Sequence, residues 1–398
     1  MKKNLITLAV ASTLATAMVS APAFADTSNV TVYGVASLSY DLTNNGAIGT
    51  NQVSSNQSRL GLKGSEDLGD GLSAVWQIEQ QINIDNSTTK GNTFASRNSF
   101  LGLSSGSAGT FILGRHDTPY KIASRSFDVF ADSIADNRSL MGGASLVTWG
   151  ANNAITTNAI PTTASAGASF DGRQGDVVAY ISPAMSGFTG AIAYVAGAEG
   201  ATAAGTTKGS AWSLAGLYGN GPLSVNLGYE AHDLGTAPGT VGGSAAFSGK
   251  KESAWKVGAG YTMDALTVNA VYERTTDNLG SAANALFGTA LAADTDVFGH
   301  NSWYLSGKYS FGNDAVKLAY TKMDNMNAAL GADTGAKQVS VGYDHNLSKR
   351  TSLYGLYTKL SNGTNAQFGL SGVSTGAPAA SGAGVGVSAW SFGMKHTF

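Results

Sequence analysis

No cysteine occurs in the 398 residues. A disulfide scaffold is therefore excluded, as is any thiolate nucleophile or thiolate metal site. Charge is also scarce. Asp, Glu, Lys and Arg make up 13% of the chain, against about 25% in ordinary soluble domains. Basic excess is missing: 24 Lys and Arg face 26 Asp and Glu, which is far from the balance of a nucleic-acid binder. There are only seven prolines. Beyond the N-terminal segment, no stretch approaches the ~20 consecutive apolar residues of a membrane-crossing helix. What is abundant is glycine, with 52 residues, and tyrosine, with 15. That mixture suits many short strands and turns, with lipid in place of water over much of the outside.

The two chain ends carry separate signals. Lys2 and Lys3 precede the apolar stretch Leu5 to Val19, and Ala21-Pro22-Ala23-Phe24-Ala25 ends in an A-x-A-like cleavage site. Residues 1–25 are thus expected to be a cleaved signal peptide with Asp26 as the first mature residue, on an exported protein. Its loss removes two lysines and no acids, leaving 22 Lys and Arg against 26 Asp and Glu, a formal −4. At the other end Trp390, Phe392, Met394, His396 and Phe398 alternate with Ser391, Gly393, Lys395 and Thr397 up to the last residue. Free chain ends are usually frayed and polar. An aromatic period of two that runs to the final carboxylate fits a last strand that pairs with a first one, with one face in lipid.

Sixteen runs with this period can be traced between the ends. Leu223, Val225, Leu227 and Tyr229 oppose Ser224, Asn226 and Glu230. Trp255, Val257, Ala259 and Tyr261 oppose Lys256, Gly258 and Gly260. Leu72, Ala74, Trp76 and Ile78 oppose Ser73, Gln77, Glu79 and Gln81. Several runs begin in tryptophan or end in tyrosine, as interfacial girdles require. Short links at 66–71, 104–109, 182–187, 219–222, 263–265, 312–314 and 346–350 alternate with long ones at 41–58, 84–96, 116–172, 197–209, 233–252, 275–300, 323–336 and 361–384. The expected fold class is all-β, one 16-stranded antiparallel transmembrane β-barrel over 26–398 with short periplasmic turns and long external loops. The faces of 97–104 and 110–115 stay unassigned, because Phe100 falls on one side and Leu101 and Leu103 on the other.

Particular residues then narrow the class. Ser58-Arg59-Leu60-Gly61-Leu62-Lys63-Gly64-Ser65-Glu66-Asp67-Leu68-Gly69-Asp70-Gly71-Leu72, followed by Ala74-Val75-Trp76-Gln77-Ile78-Glu79-Gln80, resembles the second and third strands of Gram-negative general-diffusion porins, in the β-proteobacterial branch of Burkholderia, Bordetella and Neisseria. Arg97-Asn98-Ser99-Phe100-Leu101-Gly102-Leu103 and Leu113-Gly114-Arg115-His116-Asp117-Thr118-Pro119-Tyr120-Lys121 are similar to the next two strands and the start of the third loop. Val30 to Gly34 and His396-Thr397-Phe398 also fit, with the terminal Phe398 as the assembly signal. The resemblance implies homotrimers in the outer membrane, in contact with its lipid and lipopolysaccharide, passing small hydrophilic solutes and ions by passive diffusion. A substrate-specific channel is the nearest alternative. An enzyme or an adhesive barrel is separated from both by the absence of solute flux into liposomes.

A barrel of sixteen strands leaves an aqueous channel, and its selectivity is set where it narrows. By resemblance the longest link, 116–172, folds into the lumen as the constriction loop. Phe127, Phe130 and Ile134 would anchor it. Asp128, Asp132 and Asp136, spaced by four, would share one face if the segment is helical. A basic wall is expected opposite: Arg59 and Lys63 by parity, Arg97 and Arg115 by resemblance. Glu79, Lys256, Lys308 and Lys317 also point inward by parity. Net charge favours cations and the arginines favour anions locally, so ion preference stays open. No cofactor is implied. Five scattered histidines lack metal-ligand spacing, no G-x-S-x-G elbow sits on a strand-turn-helix, and Gly384-x-Gly386-x-x-Ala389 has no following helix to make a dinucleotide site. Asp294 and Asp296 form a bare pair that a divalent cation could use.

Overall fold

In the computed structural model the described residues are 29–86, 94–142, 170–196, 209–234, 249–281, 290–327, 333–371 and 373–398. The expected signal peptide, 1–25, lies outside them. Seventeen strand segments form one antiparallel sheet that closes on itself. They are β1 (Asn29–Asn44), β2 (Gly49–Ser55), β3 (Arg59–Gly69), β4 (Leu72–Gln81), β5 (Ser99–Ser105), β6 (Gly109–Asp117), β7 (Arg173–Ile181), β8 (Phe188–Val195), β9 (Ser210–Asn220), β10 (Leu223–Asp233), β11 (Lys251–Met263), β12 (Leu266–Asp277), β13 (Asn301–Phe311), β14 (Asp314–Met323), β15 (Ala336–Asn346), β16 (Thr351–Asn362) and β17 (Val387–Thr397). Both β2 and β3 pair with β1, so they are one stave interrupted at residues 56–58, where Gln57 takes a left-handed φ of 55°. The ring thus has the sixteen staves expected.

The seam is made by the two chain ends. β1 pairs with β17 from Val35↔Thr397 to Asn44↔Ser388. The Phe398 N–H donates to Gly34 O at 3.1 Å, and the Gly34 N–H donates to Phe398 O at 3.0 Å. Gly34 also makes room for the terminal ring: a Cβ there would lie 2.3 Å from the ring of Phe398.

Period-two patterning explains the two surfaces. Leu227, Leu305 and Leu318 are more than half exposed on the outside. In water, each such side chain would forgo the ~1.5–3 kcal/mol of burial; lipid removes that penalty. Trp255, Tyr272 and Trp303 stand on adjacent strands with ring centroids 5.1 and 4.4 Å apart, a girdle segment near the long-loop end. Tyr261, Tyr309 and Phe311 are exposed near the other. The inner surface carries Glu230, Lys256, Glu273 and Ser302, all buried. Between the named strands seven short turns alternate with seven long connections, and the β1–β2 hairpin stands where the sequence suggests an eighth. Among the described residues no helix is long and apolar enough to cross a membrane.

Two expectations change. The link 41–58 is largely a hairpin of β1 and β2, turned at 45–48, with Asn45 Oδ1 accepting from the N–H groups of Ala47 and Ile48. Some of its pairs are polar, as with Thr43 and Thr50, whose hydroxyls lie 2.7 Å apart, and others are not, as with Tyr40 and Val53. Alternation continues along β1 in Tyr40 and Leu42, but β2 has Val53 alone among polar and small residues, so its pattern does not mark a strand. The faces of β5 and β6 are now set as well. Leu101, Leu103, Phe111 and Leu113 point outward, while Ile112 packs inward with Val177, Ala179, Ala193, Val195 and Ala211, and Phe100 lies against them. Both sides of this wall are apolar, which erased the pattern.

Candidate functional site

The connection after β6 does not stay outside the ring. It starts with a short helix, α1 (Pro119–Arg125), whose N-cap Thr118 accepts from the Lys121 N–H. From there it is pinned to the inner faces of β10 to β13. Asn226 donates to Ala123 O at 2.9 Å, and Asn269 donates to Phe127 O at 3.1 Å. The Tyr304 hydroxyl donates to Asp128 at 2.8 Å and accepts from the Val129 N–H. Phe127, Phe130 and Ile134, expected as anchors, are fully buried. The wall receives them in glycine sockets. A Cβ on Gly258 would sit 2.3 Å from the Phe127 ring, and one on Gly342 would sit 2.7 Å from Phe130.

The far root of the connection is fixed beneath the same wall. Asp171 pairs with Lys256 at 2.5 Å, and the Lys256 Nζ lies 3.8 Å from the centroid of Tyr120. The Tyr120 hydroxyl donates to Glu273 at 2.7 Å. Phe170 stacks on His232 at 4.7 Å, and His232 is held between Glu230 and Glu252. Lys256 points inward as its parity predicts, but it is sealed under the loop and away from water.

Residues 128–136 are a series of turns, where the aspartate spacing would have put the three acids on one helical face. Asp128, Asp132 and Asp136 instead converge on one guanidinium. Arg125 lies 2.6 Å from Asp136, 2.9 Å from Asp132 and 3.5 Å from Asp128. Arg138 adds a 3.0 Å contact to Asp136. The side chains of Asp128 and Asp136 have no exposed surface, whereas Asp132 keeps 26% of its own. Burial works to raise Asp132, but Arg125, Arg59 and Arg138 hold it well below the usual carboxylate range. Burial likewise opposes the low value of Asp136, which Arg125 and Arg138 impose. Asp128 goes the other way: burial, reinforced by Asp136, pushes it up to about 6 against Arg125.

Arg59, Arg97 and Arg115 lie on and beside the staves β3 to β6. Arg59 reaches across to Asp132 at 3.4 Å, so the loop bridges the lumen from β10–β13 to β3. Arg97 is buried, bound to Glu79 and to Gln57, each at 2.5 Å. Arg115, beside a bulge between Gly114 and His116, donates to Ser96 O at 3.0 Å. Lys63 lies four residues along β3 from Arg59, its Nζ 5.3 Å from the Tyr33 centroid. Lys317 pairs with Asp344 at 2.9 Å and sits over the Phe130 ring. Lys308 faces Lys317 in the β13–β14 register.

Sequence reasoning missed five cations: Lys121, Arg125, Arg138, Arg173 and Lys395. Arg125 and Arg138 bracket the three aspartates along the chain, a charge balance that could have revealed them. Lys121 and Arg173 share Asp117, at 2.7 and 3.0 Å. Burial pushes Lys121 down to about 7 despite Asp117 beside it. Lys395 has the inward parity of the last strand.

Asp296 does not converge with Asp294. Asp296 accepts from the N–H groups of Asp277 and Gly299 and from Asn327, while Asp294 meets Lys250 at 3.4 Å.

The family model described as "Gram-negative porin" matches residues 9–365. The chain is 29% identical over 406 residues to outer membrane porin protein 32 of Delftia acidovorans, with all of both chains covered. It is 26% identical over 340 residues to major outer membrane protein P.IA of Neisseria meningitidis serogroup C, covering 76% of each. Among solved structures, an anion-selective porin from Comamonas acidovorans superposes with a TM-score of 0.72 at 26% identity, covering 94% of this chain and 100% of that one. Salmonella typhi OmpF shares the fold, with a TM-score of 0.63 at 17% identity over 94% of this chain and 99% of that one.

Proposed function

We infer, from the premise that the chain belongs to the Gram-negative porin family, how its particular residues shape conduction. The protein is an outer-membrane channel for passive diffusion. Our reading is that the connection 116–172 is its narrowing, that Arg59 and Arg97 form the basic side of that narrowing, and that the channel prefers anions. One observation supports the preference above all: the loop's acids are consumed by Arg125, Arg138 and Arg59, and of the three only Asp132 retains exposure. Arg59 and Lys317 are paired with Asp132 and Asp344, and Lys395 beside them has no ion pair within 4 Å among the described residues, so the local balance is positive. The Comamonas relative is named as anion-selective, which agrees. The reading also takes residues 1–25 as a cleaved signal peptide, Phe398 as the assembly signal, lipopolysaccharide as a neighbour and a homotrimer as the working unit. No catalytic role enters it.

A bilayer recording under a KCl gradient tests this. The zero-current potential should lie on the chloride side, with closures in threes. A potential on the potassium side would sink the anion reading. Arg59→Glu and Arg97→Glu should each move the potential toward potassium. A unit charge a few ångströms from an ion in water-like surroundings is worth ~1 kcal/mol, roughly fivefold in permeability ratio. Unchanged potentials in both variants would remove these arginines from the narrowing.

Acidity should act in a fixed direction. Asp128, raised to about 6, loses its negative charge as pH falls through that value. Lys121, lowered to about 7, gains positive charge over the same descent. Both changes add positive charge, so chloride preference should rise reversibly between pH 8 and 5. A preference that falls on acidification contradicts both assignments.

A further inference from the structure

The inner wall holds a cavity of about 210 Å³ beside the loop, lined by Arg59, Asp132, Lys317, Asp344, Ser352 and Lys395. Its charges are unevenly spent. Asp132 is shared by Arg125, Arg59 and Arg138, and Asp344 is taken by Lys317. Lys395 has no ion pair within 4 Å among the described residues. Strand register brackets it with hydroxyls: Ser352 on β16 and Ser37 on β1 are its direct partners across the two neighbouring strands. Ser37 lines the same cavity. A lysine whose neighbours on both adjacent strands carry hydroxyls, with a second lysine lining the same cavity, is a donor set for oxyanions. The carboxylates present are occupied by other cations and leave the site a net positive charge, three cations against two acids.

We propose that this cavity is a binding station for small polyvalent oxyanions, of the size of inorganic phosphate or a short dicarboxylate, with Lys395 as the residue that determines the affinity. The station rests on the channel reading above and deepens it. An anion passing the narrowing pauses here, one oxygen set on Lys395 and its serines and the other toward Lys317. Such a pause makes chloride conduction saturably sensitive to the bound oxyanion, which an unadorned water-filled hole is not.

The test is single-channel recording in KCl with inorganic phosphate, and separately succinate, titrated on one side. Chloride current through the wild type should fall along a saturating curve with each. Lys395→Gln should raise the half-blocking concentration about tenfold, the worth of one charge-assisted hydrogen-bonding partner. Lys395→Arg should keep the block. Lys317→Gln should weaken it independently, so the proposal can still fail if the first variant does not insert. Lys322→Gln, whose side chain is half exposed at the far end of β14, should block as the wild type does. A linear, unsaturable response in the wild type overturns the station, as does equal block in wild type and Lys395→Gln. Loss of ion steps in plain KCl would strike the channel reading itself, a result distinct from either.

Discussion

Arg125→Gln should convert the pore from anion to cation preference. In the native loop one guanidinium contacts three carboxylates at 2.6, 2.9 and 3.5 Å, with Arg138 and Arg59 completing the charge balance. Without it Asp128 loses its ion pair, and Asp132 and Asp136 rely on Arg138 and Arg59 alone. Removing one partner of a buried pair costs about 3–5 kcal/mol, because the remaining charge stays buried without compensation. The strain has two outlets. The loop can turn its acids toward water, or the acids can take up protons. The first exposes negative charge to every passing ion, and near neutral pH it dominates for Asp132, which already keeps part of its surface exposed and still has Arg59 and Arg138 holding it down. Recordings under a KCl gradient should show the zero-current potential crossing to the potassium side, with a permeability ratio changed by about tenfold or more, since more than one charge is unmasked. The barrel should keep its heat stability, because the strand ladders are untouched. A wild-type potential would mean that ions do not sense the loop acids.

Gly258→Val is the second large effect. Even the first carbon of its side chain would fall 2.3 Å from Phe127, on a wall held by β10 and β12. The wall cannot retreat without breaking both ladders, so the loop must. Single-channel conductance should rise markedly as the obstruction leaves the lumen. Phe127→Ala should act in the same direction by a different route, since deleting a buried phenylalanine costs about 3–5 kcal/mol of anchoring. The double variant should lie closer to wild type than the sum of the two, because the smaller loop residue makes room for the larger wall residue. Native conductance in Gly258→Val would show that Phe127 does not hold the loop in place. Additive increases in the double variant would show that the two residues do not share a socket.

Which of these features could be read before the structure follows from their physics. Period-two alternation is a local signal, and it marked staves such as β10, β11 and β12, where one face meets lipid and the other meets polar groups. It failed at β5 and β6, where Ile112 and Val177 make the inner face apolar too, and at β2, whose one large apolar side chain is Val53. Arg59 and Glu79 were legible by parity alone. The role of Arg125 was not, because it depends on turns, including the left-handed φ of 61° at Asp132, that fold three aspartates onto one side chain. Spacing by four suggested a helix and with it an open acidic face. The glycines at 258 and 342 looked like ordinary strand glycines until the rings of Phe127 and Phe130 were found against them.

The pairing of Gly34 with Phe398 joins positions almost a whole chain apart. Every other neighbouring stave can zip to one adjacent in the chain, whereas this seam joins the first stave to the last. Loop-closure entropy makes so distant a contact slow to form. Until it forms, β1 and β17 each present a row of unpaired amides that can recruit a strand from another chain. A chain deprived of β17 would therefore present a sheet with two sticky margins, a substrate for clumping and proteolysis, instead of a slightly narrower pore.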